Sequence, residues 1–233
     1  MKHFGCDKCL SKNKGIFCEL EQLALDDVSH NKVMNTYKKG QDIFLQGNPS
    51  FGLYCISSGK IKITKTGLDG KESIVRIASE GDVLGHRSLF SKENYSATAT
   101  TIEETTVCFI DKKYIYNALK KEPSIALNLI QQLSREMGSA EAKAASLSQK
   151  SVKERLSELL LSLKSTYGIQ EDKRTRLDIK LTREEMASMI GTSVETVIRF
   201  MTELKDEGLI EQEGKVIFIL NEEGLLETAN LNF

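Results

Sequence analysis

Apolar residues change their spacing along the chain, and each spacing predicts a different kind of structure. From Leu181 to Leu220 the period is helical. In LTREEMASMIG, Thr182 and Glu185 have the spacing of a capping box, Met186, Met189 and Ile190 form an apolar face, and Gly191 ends it. A second helix starts at Thr192 or Ser193 and runs SVETVIRFMTELKDE, with Val197, Phe200, Met201 and Leu204 on one stripe as far as Gly208, a left-handed C-cap. LIEQEGKVIFIL then reads as a hairpin: an apolar pair, a turn through Glu213-Gly214, and a β-branched run from Lys215 to Leu220. Helix, glycine turn, helix and hairpin together predict a winged helix-turn-helix.

From Lys38 to about Ile110 the period is two. YKKGQDIFLQGN, LYCISSGKIKITKTGLDGKE, SIVRIASEGDVLG and YSATATTIEETTVCFID place apolar residues at alternate positions between glycines, the pattern of short strands in an antiparallel double-sheet roll. Between the two textures, Ile130, Leu133, Met137, Ala140, Ala144 and Leu147 recur in steps of three and four, the a/d seam of one long helix. That seam can pack on its own roll, but its alanines suit the close approach of two identical helices. The expected division is a cysteine-containing segment over residues 1–22, a β-roll over 23–120, a long seam-bearing helix over 121–149 and a winged helix-turn-helix domain over 150–233. Ser148 to Ser151 reads as the hinge, and VKERLSELLLSL as the core helix that follows.

A chain of 233 residues suits two domains of on the order of 100–150 residues each. The formal net charge of −1 argues against a sequence-indifferent nucleic-acid coat and leaves room for a specific reader with local basic patches. Lys150, Lys153 and Arg155, then Lys173, Arg174, Arg176 and Lys180, then Arg183 supply candidate phosphate contacts, although such runs are also ordinary solvated faces. The hairpin turn EQEGK is acidic for a wing. No apolar run approaches the roughly 20 residues that span a bilayer, and MKHFGCDKC lacks the apolar core of a signal peptide, so a cytoplasmic protein with no membrane partner is expected.

In a winged helix-turn-helix the second helix enters the major groove, so its outward positions Val194, Glu195, Ile198, Arg199 and Thr202 decide what is read. Arginine can fork onto guanine O6 and N7, glutamate can accept from the cytosine amine, and residues four apart share a helix face. Thr182 and Ser193, at the two helix starts, complete the candidate DNA-contacting set. The competing reading is an exposed Glu195–Arg199 ion pair, or a Glu195 capping box closed onto Thr192.

Five cysteines, Cys6, Cys9, Cys18, Cys55 and Cys108, are not expected to form disulfides in a cytosolic chain. Cys6-x2-Cys9 with Cys18 beyond could wrap three thiolates round a cluster, and Cys108 could add a fourth. Zinc on the same thiolates and a plain reduced pair compete with that reading. Cys18 could equally face the core, and Cys55 reads as a buried strand residue. The histidines His3, His30 and His86 are scattered, and neither a phosphate-cradling glycine loop nor a nucleophile elbow is present, so no enzyme is expected. His30 and His86 as haem ligands are a minor alternative.

TSVETVIRFMTEL resembles the recognition helix of the Crp/Fnr bacterial transcription regulators, and the cysteine pattern places the chain closer to the Fnr branch. The resemblance implies an α+β fold: an N-terminal cyclic-nucleotide-binding-type β-roll (a double-stranded β-helix), a long dimerisation helix and a C-terminal winged helix-turn-helix. It also implies a homodimer on double-stranded DNA with a palindromic operator, RNA polymerase as a partner, and Glu195 and Arg199 as readers of a G·C-containing half-site. Ile198 stands where the Fnr branch usually has serine, and Val194 where the Crp branch has arginine.

Members that bind cyclic AMP use a Gly-Glu pair for the ribose and an Arg-Ser pair for the phosphate. Matched on Leu89-Phe90 and Ser96-Ala97, this chain has His86 at the glutamate and Tyr95 at the arginine. A neutral phenol cannot replace a guanidinium fork on a phosphate, so cyclic AMP is not expected. Gly85, His86, Arg87, Tyr95 and Ser96 remain the candidate effector pocket, with Arg87 either holding another small anion or serving as a surface ion-pair partner. The Fnr branch carries an oxygen-labile 4Fe-4S cluster on three N-terminal cysteines and one from the last strand of the roll, which maps onto Cys6, Cys9, Cys18 and Cys108. The departure is eight residues between the second and third cysteine where that branch usually has five. An alternative function is a ligand- or redox-sensing module whose main output is a protein partner.

Overall fold

The structure is a computed structural model that describes Gly5, Cys6, Cys9, residues 14–18 and residues 20–231. His3 lies outside the described residues. In chain order the elements are α1 (Gln22–His30), β1 (Lys32–Tyr37), β2 (Asp42–Phe44), β3 (Gly52–Ser58), β4 (Ile61–Thr66), β5 (Glu72–Ala78), β6 (Val83–Leu84), α2 (His86–Ser91), β7 (Thr98–Thr101) and β8 (Thr105–Asp111). They continue with α3 (Lys112–Lys121), α4 (Pro123–Gln149), α5 (Val152–Tyr167), β9 (Gly168–Glu171), β10 (Arg174–Leu177), α6 (Arg183–Ile190), α7 (Val194–Asp206), β11 (Ile210–Glu213), β12 (Val216–Ile219) and α8 (Glu222–Thr228). Two compact units result, Met1–Gly138 and Ser139–Phe233, and the division falls within α4.

The first unit is the roll. One antiparallel sheet has the order β1-β8-β3-β6, the other β2-β7-β4-β5. Strand alternation sends Ile56, Val107 and Leu84 of the first sheet and Ile43, Ile61, Ile63, Ala78 and Ala99 of the second into one shared core. The opposite parity of the first sheet faces a second core. Leu53, Val83 and Ile110 meet Val28 of α1, Ile115 of α3, Ile125 and Leu129 of α4, and Ile16 of the N-terminal segment.

In the second unit α5 opens on a capping box, Ser151 with Glu154, and buries Leu156, Leu159, Leu160 and Leu163. β11-β12-β10-β9 form a small sheet. The β9–β10 hairpin is an element that the hydrophobic pattern did not predict; its strands carry few apolar side chains to mark them. Along α4, Ile130, Met137, Ala140, Ala144 and Leu147 are exposed in the single chain, with Met137 at 62%, while Leu133 is half-buried on the outer core. Among the described residues no helix is long and apolar enough to cross a membrane.

Candidate DNA-reading face and sensor cavity

Local chemistry sets both ends of the two reading-unit helices. Thr182 Oγ1 accepts from the Glu185 amide at 3.2 Å and the Glu185 carboxylate returns a bond to the Thr182 amide at 2.9 Å. Gly191 ends α6 in the left-handed region at φ 65°, a conformation that favours glycine, and a Cβ there would lie 3.1 Å from Leu147 Cδ2. Ser193 caps α7 by accepting from the Thr196 amide at 3.3 Å, and Gly208 follows the helix end at φ 70°. Val197, Met201 and Leu204 anchor α7 in the core, as the stripe predicted. Phe200 is only half-buried, and the Arg199 guanidinium lies 4.7 Å over its ring.

The outward face that results carries Glu195, Ile198, Arg199 and Thr202, all exposed, with Val194 half-buried. Arg199 approaches Glu203 at 3.9 Å, so its helix-face partner is not Glu195. The Glu195 carboxyl is held below the usual glutamate range by the amide at its own position and by the Ser193 hydroxyl, which keeps it ionised as an acceptor. Thr182 and Ser193 are committed to their caps, and Thr202 Oγ1 bonds the Ile198 carbonyl at 3.0 Å. A cleft of about 300 Å³ between α7 and the wing is lined by Ile198, Thr202, Lys205, Arg183 and Gln212.

Several expected phosphate contacts are occupied within the protein. Lys150 pairs with Glu158 at 3.3 Å and Lys153 with Glu207 at 2.5 Å. Arg174 bridges Glu211 and Glu213, both at 2.9 Å, and lies 3.8 Å over the Phe218 ring. Arg176 holds Glu171 at 2.6 Å and Asp178 at 3.1 Å. Arg183 bonds Gln212. Arg155 donates to main-chain carbonyls of Ile190 and Lys150 at 2.9 and 2.8 Å. Lys173 and Lys180 stand exposed, as do Lys205 and Lys215, which the charge pattern alone did not single out. The acidity of the wing is explained by Arg174, which neutralises Glu211 and Glu213 across the sheet.

The expected effector pocket is rearranged. Tyr95 is 4% exposed and stacks on Phe44 at 4.0 Å, so its ring fills the interior. His86, 2% exposed at the start of α2, directs Nε2 to Glu136 of α4 at 3.1 Å. Glu136 also takes Arg76 at 3.2 Å and Gln132 at 2.9 Å. Burial pushes its carboxyl up, but the His86 hydrogen bond and the Arg76 charge outweigh that and hold it below the usual range. Gly85 takes φ 81° at the turn into α2. Arg87 reaches forward to bond the Ser96 hydroxyl, so an arginine–serine pair is assembled from two segments. His30 Nδ1 meets the Asp26 carbonyl at 2.7 Å on the surface and is far in sequence and role from His86.

The cysteines divide differently from the spacing pattern. Cys6, Cys9, Cys55 and Cys108 line one cavity of about 50 Å³ on the outer face of the first sheet, together with Lys32, Ser57, Val28 and Ile110. Cys18 is not on that wall; the Asn128 amide of α4 donates to its sulfur at 3.7 Å and to the Ile16 carbonyl at 3.2 Å. Cys55 and Cys108 are register partners on β3 and β8, a position that puts both side chains on one face. The Cys6 amide is fixed to Ser29 Oγ at 3.1 Å, and Cys9 Sγ lies 3.3 Å from Ser57 Oγ.

Lys32, 6% exposed, donates to Cys6 Sγ at 3.3 Å. Burial works against its ammonium, yet Cys108, Cys6 and Cys9 outweigh it and raise its pKa above the ordinary lysine value. Burial raises the Cys108 and Cys55 thiols, with Lys32 opposing in both. Among the described residues no three acidic, thiol or imidazole groups converge closely enough to hold a single metal ion. The four-thiol set expected from the motif is therefore not what the structure gathers. Three of its members share the cavity, and the fourth wall position belongs to Cys55.

A strand roll with a helix-borne polar cluster on one side, and a capped reading helix beside a wing on the other, define a two-part regulator that senses with one unit and binds DNA with the other. Residues 34–122 match the cyclic nucleotide-binding domain and residues 154–228 the Crp-like helix-turn-helix domain. The CRP-like cAMP-activated global transcriptional regulator of Mycobacterium tuberculosis (strain CDC 1551 / Oshkosh) is 31% identical over 92% of this chain and 96% of its own length. The transcriptional activator protein FnrA of Stutzerimonas stutzeri is 28% identical over 88% and 83%. The structure of FixK2 from Bradyrhizobium japonicum superposes with a TM-score of 0.76 at 22% identity, over 84% of this chain and 96% of that one. The chain belongs to the Crp/Fnr family of transcription regulators, with a cyclic-nucleotide-binding-type sensing domain and a helix-turn-helix DNA-binding domain.

Proposed function

We propose that this regulator is a homodimer that reads a palindromic operator with one α7 per half-site and takes a redox signal through the thiols of its roll. The observation that carries the reading is the exposed face Glu195, Ile198, Arg199 and Thr202 on a helix whose opposite stripe and both ends are locked in place. The exposed seam Ile130, Met137, Ala140, Ala144 and Leu147 on α4 supports two-fold association, which would set two reading helices about 34–36 Å apart along one face of the duplex. Lys173, Lys180, Lys205 and Lys215 are the groups available to phosphates. Such a protein would act in the cytoplasm and make contact with RNA polymerase. The match to the Crp-like helix-turn-helix domain favours DNA over a protein partner as the main output.

One relative is named for activation by cyclic AMP. Here Tyr95 is spent in an aromatic stack and His86 on Glu136, which supports a different effector. The reading of DNA is tested by selecting duplexes from a random pool with the full chain and repeating the titration with Arg199→Ala. Loss of about 1–3 kcal/mol on the selected site, with relaxed preference at one position per half-site, is expected. Equal losses on selected and random duplex would remove Arg199 from base reading.

A further inference from the structure

We infer that Ile198 reads the 5-methyl group of a thymine beside the guanine taken by Arg199, so that each half-site carries one T·A pair selected by apolar contact rather than by a hydrogen bond. The inference rests on the DNA-reading role proposed for α7 and names what the apolar part of its face recognises. The first ground is exposure. Val197, Met201 and Leu204 bury the inner stripe of α7, whereas Ile198 is 50% exposed on the face that carries Glu195 and Arg199. It lies three residues after Glu195 and one before Arg199, in the middle of that face, so a duplex seated on those two side chains covers it as well.

The second ground is the row to which Ile198 belongs. Val194, Ile198 and Thr202 recur every four residues and line up along the helix. Val194 is half-buried, and Thr202 Oγ1 donates to the Ile198 carbonyl at 3.0 Å, so its hydroxyl proton is spent on the main chain of its own helix. Along this row no donor is left for a base edge. Ile198 and Thr202 continue into the wall of the cleft beside the wing, where Arg183 bonds Gln212 and Lys205 stands exposed. The third ground is what a duplex can offer such a row. Thymine is the one base whose major-groove edge carries an apolar group. Cytosine and adenine present an amine there and guanine two acceptors, and against Ile198 each of those groups would lose water and gain no partner. The thymine methyl gives up apolar surface alone, and so does Ile198.

The test uses the full chain and the duplex it selects from a random pool. Each thymine of the selected half-site is replaced in turn by deoxyuridine, which lacks the methyl and keeps every hydrogen-bonding group. Affinity is measured for the parent, Ile198→Ala and Arg199→Ala. Each comparison is a ratio of two duplexes on one protein, so a change in a variant's stability cancels. The expected result is one thymine, next to the guanine whose preference Arg199→Ala relaxes, at which deoxyuridine weakens the parent about fourfold per half-site, the worth of one buried methyl. Ile198→Ala should bind those two duplexes alike. Replacing that T·A pair by C·G should weaken the parent, and 5-methylcytosine at the same place should recover a like factor. A selected half-site with no thymine beside that guanine, a parent indifferent to deoxyuridine, or a penalty as large in Ile198→Ala as in the parent overturns the inference and leaves the base-reading role of Arg199 standing. A parent that favours no duplex over the random pool overturns both.

Discussion

Replacing Arg155 distinguishes a structural guanidinium from a DNA contact. From the charge run alone Arg155 reads as a phosphate ligand. In the structure its Nε donates to the Ile190 carbonyl at 2.9 Å, Nη1 to Lys150 at 2.8 Å and Nη2 to Gly191 at 3.4 Å. Those carbonyls end α6 and follow α4, where helices leave acceptors without intrahelical partners. Hydrogen bonds to a charged group are worth about 1.5–3 kcal/mol each, the long third bond adds little, and the site is half-exposed, so water recovers part of the loss. Arg155→Met keeps the apolar stem and should destabilise the second unit by about 2–3 kcal/mol, lowering its urea midpoint by roughly 1 M. Arg155→Lys keeps the charge but not the fork, and should lose nearly as much. The slope of log affinity against log salt on the operator should not change in either. A melt within about 0.5 kcal/mol of the parent, together with a flatter salt slope in Arg155→Met alone, would make Arg155 a phosphate contact and refute the structural role.

Met137→Glu places like charges across the proposed two-fold seam and should convert the dimer to monomer in sedimentation; a variant that stays dimeric would move the interface elsewhere. The depressed Glu136 carboxyl predicts a particular acid sensitivity. Its contribution is fully present above the ordinary glutamate value of 4.5 and is lost as pH falls through the lower folded value, so stability below about pH 4.5 should fall more steeply in the parent than in Glu136→Gln. Parallel acid-unfolding curves for the two would show that the His86 and Arg76 contacts do not stabilise the ionised form.

The reading unit was legible because its signals are local. Thr182 with Glu185, Gly191, Ser193 and Gly208 act within a turn of chain, and the stripe Val197, Met201 and Leu204 repeats at helical spacing. The roll was legible as alternation, which assigns parity but not partners. Register is where the reading stops. That Cys55 faces Cys108, that Arg174 faces Glu211 and Glu213, and that His86 meets Glu136 all depend on pairings between segments distant in sequence. Parity alone could have set Cys55 on the same face as Leu53 and away from Ile56. It could not have said which strand lies beside it. The charge runs misled for a related reason, since a lysine or arginine looks equally free in the sequence whether or not a carboxylate awaits it across a sheet. Cys18 was drawn in by its nearness to Cys6 and Cys9, whereas Asn128 from α4 sets its surroundings.

The placement of the thiols bears on how a signal would leave the roll. Ile16 lines the thiol cavity together with Cys6 and Cys9. It is 2% exposed in the core shared with Ile125 and Leu129 of α4, and its carbonyl and the Cys18 sulfur both receive the Asn128 amide. Three kinds of contact therefore tie one short segment to the helix that bears Ile130, Leu133 and Met137. A second tie reaches the same helix where Gln132 bonds the Val83 carbonyl at 3.3 Å and Glu136 gathers His86 and Arg76. Val83 itself lines the thiol cavity. A change at the cavity that shifts β6 or releases the terminal segment cannot leave α4 untouched, because both of its anchors pass through residues on that wall. A switch of typical size needs about 1–3 kcal/mol between two states, the worth of one or two such buried polar contacts, so loss of the Asn128 and Gln132 bonds together is enough to bias the position of the seam.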